Sequence, residues 1–169
     1  MEFMDLIKER YSCRKFTDQQ LTEDELNAIL EAGRLAPSAI NRQPWRFLVL
    51  QGADLEKVDE CSKCRYGAPT AILVCFDRTE SAKNPDVTPD YGWIDSGLAL
   101  MQMALEADNL GLSSCIVGAY DPAIATEVFN IPDHIVTYQF LMLGHADAEP
   151  APRHFERRPL EEVVVHGSF

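Results

Sequence analysis

The sequence predicts an α/β or α+β domain built on one helix-covered sheet, and three observations carry that expectation. Segments with helical periodicity alternate with short apolar runs along the 169 residues, the pattern of helix and sheet layers sharing one core. Residues 70–76, Thr-Ala-Ile-Leu-Val-Cys-Phe, are continuously apolar and β-branched, as in a central strand covered on both faces. Residues 93–109 give the longest helical pattern. There Ile94, Leu98, Leu100, Met101, Met103 and Leu105 surround most of the circumference, interrupted by Asp95, Ser96, Gln102 and Glu106. A helix so apolar is buried within the fold or at a subunit interface.

The remaining elements follow in order. Phe3 and Ile7 share one face of a short first helix, with Leu6 beside them. Thr22-Glu23-Asp24-Glu25 is a capping box, and the helix behind it buries Leu26, Ile29, Leu30 and Gly33. It ends near Ala36, because Pro37 disfavours helical geometry before it. Residues 45–50 alternate as a strand, and residues 53–61 form a helix. Residues 79–90, with charge and two prolines, form an exposed loop. Gly111 caps the long helix beyond its end. Residues 113–117 are a strand, Asp121-Pro122 opens a short helix with a cap and a first-turn proline, and residues 135–143 are a long strand. Residues 160–166, after an irregular Pro- and Arg-rich tail, are expected to form a last short strand that pairs outside its own core.

Length and composition are those of one globular domain spanning residues 1–169. The net charge of −12 argues against nucleic acid or an anionic membrane as partner. No N-terminal basic stretch precedes an apolar run, and no apolar run approaches the roughly 20 residues that cross a bilayer; a cytoplasmic location is the expectation. Five cysteines form no disulfide framework, and Cys61-x-x-Cys64 lacks a second pair for a zinc site. They are expected to be incidental thiols, in keeping with a reducing compartment. The four histidines have no metal-ligand spacing, so no metal is expected. No Gly-x-Ser-x-Gly, Walker or Rossmann glycine pattern occurs, which leaves hydrolase and nucleotide triphosphatase readings without support.

Chemistry concentrates in four places. In Arg10-Tyr11-Ser12-Cys13-Arg14-Lys15-Phe16, an extended backbone would place Arg10, Ser12 and Arg14 in one row, suited to a phosphate monoester. A continuing helix would still align the two arginines but would turn Ser12 away. Ser38, Asn41 and Gln43 put hydroxyl and amide groups on a loop stiffened by Pro37 and Pro44, where they could meet a planar heterocycle. Gly118-Ala119 ends a strand and leaves a backbone N–H open to close approach. Arg157-Arg158 is a second basic pair that would complete an anion site if it lay near Arg10 and Arg14. Each of these is also an ordinary surface feature when taken alone.

Taken together they resemble the FMN-dependent nitroreductase family. The resemblance rests on Arg10 to Phe16, on Ala36-Pro37-Ser38-Ala39-Ile40-Asn41-Arg42-Gln43-Pro44-Trp45, on Leu110-Gly111-Leu112 through Gly118-Ala119-Tyr120-Asp121, and on Arg157-Arg158-Pro159-Leu160-Glu161-Glu162-Val163, in the family's order. It implies an α+β, three-layer α/β/α fold with a mixed, mainly antiparallel sheet, in a homodimer whose C-terminal strand extends to the partner. FMN would sit at the interface. Arg10, Tyr11, Ser12 and Arg14, with Arg157 or Arg158, would hold its phosphate end, and Pro37, Ser38, Ala39, Asn41 and Gln43 would contact the flavin from the other subunit. Gly118 and Ala119 would lie by the ring with a backbone N–H toward N5.

The implied activity is ping-pong hydride transfer from NADH or NADPH through flavin N5 to a nitroaromatic, quinone or similar electron-poor acceptor. It needs no side-chain nucleophile or general acid, because the flavin carries the hydride chemistry. A cation near flavin N1 and the C2 oxygen is required, and Lys63, Arg65 and Arg46 are the candidates. The chain is short and has Gly118 where larger members often carry Glu, so the slot over the flavin is expected to be more open. A reductive dehalogenase or flavin-consuming relative, a flavin-binding redox carrier or sensor, and an acidic domain binding another phosphate are the competing readings.

Overall fold

A computed structural model describes residues 2–84, 86 and 90–169. In chain order it contains α1 (Phe3–Glu9), α2 (Glu23–Arg34), a 3-10 turn (Ala39–Asn41), β1 (Trp45–Gln51), α3 (Asp54–Cys61), β2 (Thr70–Asp77), α4 (Gly92–Asn109), β3 (Ser113–Val117), α5 (Pro122–Val128), β4 (Ile135–Gly144), a second 3-10 turn (Pro152–Phe155) and α6 (Leu160–Val163). Through residue 144, each helix and strand expected from the sequence is present, with ends shifted by at most two residues.

The strands form one sheet in the order β1-β2-β4-β3, with every neighbouring pair antiparallel. Its parallel component is a single bridge between Ser12 and Ser114 at the β3 edge. Pleating sorts the side chains of β2 to opposite faces. Ala71, Leu73 and Cys75 join Phe140 and Met142 of β4 under Val58 and Cys61 of α3 and Ala125 of α5. Ile72 and Val74 join Leu141 and Leu143 under Ile29 of α2 and Leu100 and Met103 of α4. All of β2 is buried, which accounts for its unbroken apolar run. The outcome is a three-layer α+β fold.

Local chemistry sets the helix ends. At α2 the Glu25 N–H donates to Thr22 Oγ1 (3.2 Å), and the Glu25 carboxylate accepts from the Thr22 N–H (2.7 Å), closing the capping box. Asp121 accepts from the Ala123 and Ile124 N–H groups at the start of α5. Gly111 ends α4 in the left-handed region (φ +78°), and the Leu112 N–H returns to the Ala107 carbonyl at 2.9 Å.

Of the apolar residues of α1, only Leu6 is buried; Phe3 and Ile7 are exposed. On α4, Trp93, Ile94, Leu98 and Met101 are each more than a third exposed in the single chain, which leaves the interface alternative for that helix. Two expectations are revised. In the loop expected at residues 79–90, Ser81 and Ala82 are buried, and the Tyr91 N–H closes onto the Ala82 carbonyl; Pro85, Val87, Thr88 and Pro89 lie outside the described residues. Residues 160–166 form no strand. A strand needs a neighbour for its backbone groups, and the tail meets no strand of its own chain. Its N–H groups close local turns instead, Glu162 onto Pro159 and Val164 onto Leu160, to give α6.

Gly92 marks the tightest contact between α4 and the sheet, because an added Cβ would stand 2.2 Å from the Phe76 ring. Gly92→Ala is therefore expected to destabilise the fold by about 1–3 kcal/mol through overpacking. Its urea midpoint should fall with the slope unchanged.

Candidate functional site: an anion pocket and an open strand end

Residues 10–16 leave α1 as an extended segment along the free edge of β3, so the extended alternative holds and the continuing helix does not. The Cys13 N–H donates to the Ser114 carbonyl (2.9 Å), and the Phe16 N–H to the Tyr66 carbonyl (3.2 Å). Cys13 is wholly buried, and its neighbours Ser12 and Arg14 point the other way.

Arg10, Tyr11, Ser12 and Arg14 line a cavity of about 200 Å³ together with Ala151, Arg153, His154 and Arg157. Four guanidinium groups thus surround one small space, and none has a carboxylate within ion-pair distance among the described residues. In a protein of net charge −12, four uncompensated cations at one point select for an anion with several oxygens. Of the basic pair in the tail, Arg157 reaches the cavity and Arg158 does not line it. The Arg157 guanidinium donates to the His154 and Glu156 carbonyls, the His154 ring lies 3.0 Å from the Lys8 carbonyl, and the Tyr11 hydroxyl donates to the Ala148 carbonyl at 2.8 Å. These bonds tie the tail to α1 and residue 11. Arg153 and His154 were not anticipated, although Arg153 stands four residues before Arg157 in the same basic tail. A larger cavity, about 1030 Å³, adjoins along Ile7 and residues 146–150 and shares Tyr11, His154 and Arg157.

Asp108, near the end of α4, is a second residue that the sequence did not single out. The Ser114 hydroxyl donates to its Oδ2 at 3.5 Å. Burial pushes its carboxyl up to about 6, against the opposing pull of Arg10 and the bond from Ser114.

The loop of residues 37–44 is a preset turn. Ser38 Oγ accepts from the Gln43 N–H (2.9 Å), and the Gln43 amide donates to Asn41 Oδ1 (3.1 Å). Ile40, Asn41 and Gln43 all have positive φ, at +46°, +56° and +52°. That is costly for a β-branched residue such as Ile40, whose side chain is 79 % exposed. Asp95 of α4 holds the turn by accepting from the Ala39 N–H at 3.0 Å. It is only 1 % exposed, its Oδ2 has no partner among the described residues, and burial raises its carboxyl. Pro37, Ser38, Ala39, Asn41 and Gln43 are thus gathered on one stiff loop, but none of them lines the guanidinium cavity.

Beyond the last β3–β4 pair, Val117 with Phe140, the N–H groups of Gly118 and Ala119 donate to no described residue. Ala119 borders a cavity of about 540 Å³ with Cys61, Ser62, Lys63 and Cys64, and its carbonyl accepts from Ser62 Oγ at 2.9 Å. The three candidate cations now separate. Arg46 is paired with Glu80 (2.7 Å) and Arg65 grips both oxygens of Asp59 (2.8 and 2.7 Å). Lys63 reaches only the Asp59 carbonyl at 3.4 Å and lines the cavity beside Ala119. All five cysteines are free, and all lie in or against the core on the α3 and α5 face. Burial pushes Cys75 up to about 12 and raises Cys61 and Cys115. Buried thiols held protonated are poor nucleophiles and metal ligands.

The fold and these groups define a three-layer α+β domain with a cavity lined by four guanidinium groups at one end of its edge strand and free backbone donors at the other. The family model described as "Nitroreductase family" matches residues 7–65 and 61–145. A relative from Methanothermobacter thermautotrophicus, provisionally named an NADH dehydrogenase/NAD(P)H nitroreductase, is 31% identical over 90% of this chain and 82% of its own length. The crystal structure of a nitroreductase family protein from Clostridium difficile 630 superposes with a TM-score of 0.94 at 34% identity, covering 100% of both chains. A provisionally named nitroreductase from Desulfovibrio desulfuricans, solved in complex with FMN, gives 0.86 at 27% identity and covers 100% of this chain and 98% of its own. This chain belongs to the nitroreductase family.

Two outcomes follow from the buried carboxylates. A raised folded-state pKa means that ionising Asp108 is costlier in the folded than in the unfolded chain. Its contribution therefore falls as pH rises from about 4 to about 6 and is constant above. Asp108→Asn should stabilise the fold at pH 7.5 by at most about 3 kcal/mol, two pH units at 1.36 each, and the gain should vanish near pH 4 when Tm is followed against pH. Asp95→Ala, which orphans the Ala39 N–H, should cost about 1–3 kcal/mol, and Asp95→Asn, which keeps an acceptor oxygen, should cost less in the same denaturation measurement.

Proposed function

We propose that this chain is an FMN-dependent NAD(P)H oxidoreductase that passes hydride to nitroaromatic, quinone or similar electron-poor acceptors. The observation that carries the reading is the set of four uncompensated guanidinium groups around the cavity beside Ser12. Family membership supports it, as do the FMN complex of the Desulfovibrio relative and the likeness to the NAD(P)H-dependent FMN reductase of Bacillus subtilis, a relative 26% identical over 98% of this chain and 72% of its own length.

The donor set fits FMN. Arg10, Ser12, Arg14 and Arg157, with Arg153, hold the phosphate, and Tyr11 and His154 wall it in. Gly118 and Ala119 lie four to five residues along the edge from Ser114, roughly 13–17 Å by strand rise, a reach that a flavin on its sugar-phosphate chain spans. When bound, FMN supplies the hydride-accepting and hydride-donating chemistry. The chain's own part is to orient and to balance charge. The free N–H groups of Gly118 and Ala119 offer donors to the ring's reacting edge. Lys63, the one candidate cation not locked to a carboxylate, would supply the positive charge that balances the reduced ring.

Two features favour a homodimer. The exposed stripe of Trp93, Ile94, Leu98 and Met101 on α4 is the apolar face a second copy covers. The exposed Leu160, Val163, Val164 and Val165 of the tail reach toward that copy. The stiff loop bearing Pro37, Ser38, Ala39, Asn41 and Gln43 then comes to each flavin from the other subunit, in keeping with its absence from the guanidinium cavity of its own chain. Among the described residues no helix is long and apolar enough to cross a membrane.

Purified protein should be yellow, and anaerobic NADH or NADPH should bleach the flavin. Failure with both donors would leave a carrier rather than an enzyme. Arg14→Ala should weaken FMN by about 2 kcal/mol or more, some thirtyfold in Kd, as one partner of a desolvated charge pair is lost. Unchanged affinity in a fluorescence titration would remove the phosphate from this pocket.

A further inference from the structure

Strand β4 is irregular at one point, opposite the open end of β3. It pairs Val74 with Gln139 and then Cys75 with Thr137, so Tyr138 is an extra residue without a partner on β2. Such a bulge turns consecutive side chains to one face. Tyr138 packs against the α2–α4 layer, with its hydroxyl 3.1 Å from where a Cβ on Gly97 would stand. Gln139, in phase with Leu141 and Leu143, faces the same way. Its amide lies over the end of β3: a Cβ on Gly118 would stand 2.9 Å from Gln139 Nε2 and 3.6 Å from Cδ. The space beside Gly118 is therefore filled by a neutral amide from the adjacent strand.

That amide has no work within the protein. Gln139 is half-buried, and its side chain forms no hydrogen bond with a described residue. Ordinary turns and edges engage such groups, as Gln51 does with Thr70 at 2.9 Å and Gln43 with Asn41 at 3.1 Å. Here a bulge, a missing Cβ and a partnerless amide converge where the Gly118 and Ala119 N–H groups are also free. The amide stays open to solvent at the strand end, so a ligand oxygen can take its N–H in place of water.

We infer that Gln139 orients the electron acceptor, its side-chain N–H donating to a nitro or quinone oxygen beside Gly118. The inference rests on the flavoenzyme reading above. The amide is neutral at every working pH, so it fixes the acceptor's angle and distance and transfers no proton. A site built to hydrogen-bond an oxygen also discriminates against analogues that lack it. Gln139 is thereby a specificity residue rather than a cofactor ligand.

The test titrates FMN-loaded protein, without NAD(P)H, with 4-nitrobenzoate and with 4-methylbenzoate, following the perturbation of flavin absorbance. Gln139→Leu should weaken 4-nitrobenzoate about tenfold, the loss of one hydrogen bond. The affinities for 4-methylbenzoate and for FMN should stay within about twofold, and Gln139→Asn should recover part of the loss. In turnover the KM for the nitro acceptor should rise while reduction by NAD(P)H keeps its rate. Loss shared by both benzoates, loss of neither, or weakened FMN binding overturns the role given to Gln139. So does a wild-type protein that is reduced by NAD(P)H yet binds no 4-nitrobenzoate. A wild-type protein that takes up no FMN overturns the flavoenzyme reading and this inference with it.

Discussion

The edge of β3 governs this molecule more than any side chain does. An edge strand presents unpaired backbone groups that must be satisfied or covered, and here the chain's own residues 10–16 do it. The Cys13 N–H is taken by the Ser114 carbonyl, and the Phe16 and Thr17 N–H groups by the Tyr66 and His145 carbonyls. That pairing fixes the segment as extended, sends Cys13 into the core and turns Ser12 and Arg14 outward. The tail returns to the same place through the Tyr11 and His154 contacts and adds Arg153 and Arg157. The cavity is thus built by two distant stretches: residues 10–14, set beside β3 at Ser114, and the tail, held onto them by the Tyr11 and His154 contacts.

The acidity of the rest of the protein sharpens that pocket. A net charge of −12 would repel an anionic ligand at long range, within the roughly 8–10 Å over which physiological salt leaves charges visible. A compact cluster of guanidinium groups, with no carboxylate at ion-pair distance among the described residues, makes the potential positive at that point. The half-buried carboxyl of Asp108 interacts with Arg10, which ties its ionisation to the charge of the cluster.

Much of this was legible in the sequence because the determinants were local. The Thr22–Glu25 capping box, the Asp121-Pro122 helix start, Gly111 beyond α4 and the unbroken apolar run of β2 each depend on neighbours a few residues away. So did the alternation of Arg10, Ser12 and Arg14. The parts that were not legible depend on the third dimension. Nothing nearby shows that Arg153 reaches the pocket while Arg158 does not, since both belong to one basic tail. The contributions of Asp95, Asp108 and Gln139 come from partners 21 to 98 residues away, Gly118, Ala39 and Arg10. The final strand was mistaken for a related reason: β-branched residues describe a tendency, and a strand exists only where another backbone receives it.

The turn at Ile40 has a consequence for timing. Its left-handed backbone is held without help from its own exposed side chain, by the Asp95 carboxylate on one side and Ser38 Oγ on the other. The ordering of residues 38–43 is therefore complete before any ligand arrives. A loop already frozen gives up little conformational entropy on contact. It also need not wait for a rare open or closed form, so association is governed by diffusion and orientation rather than by loop rearrangement.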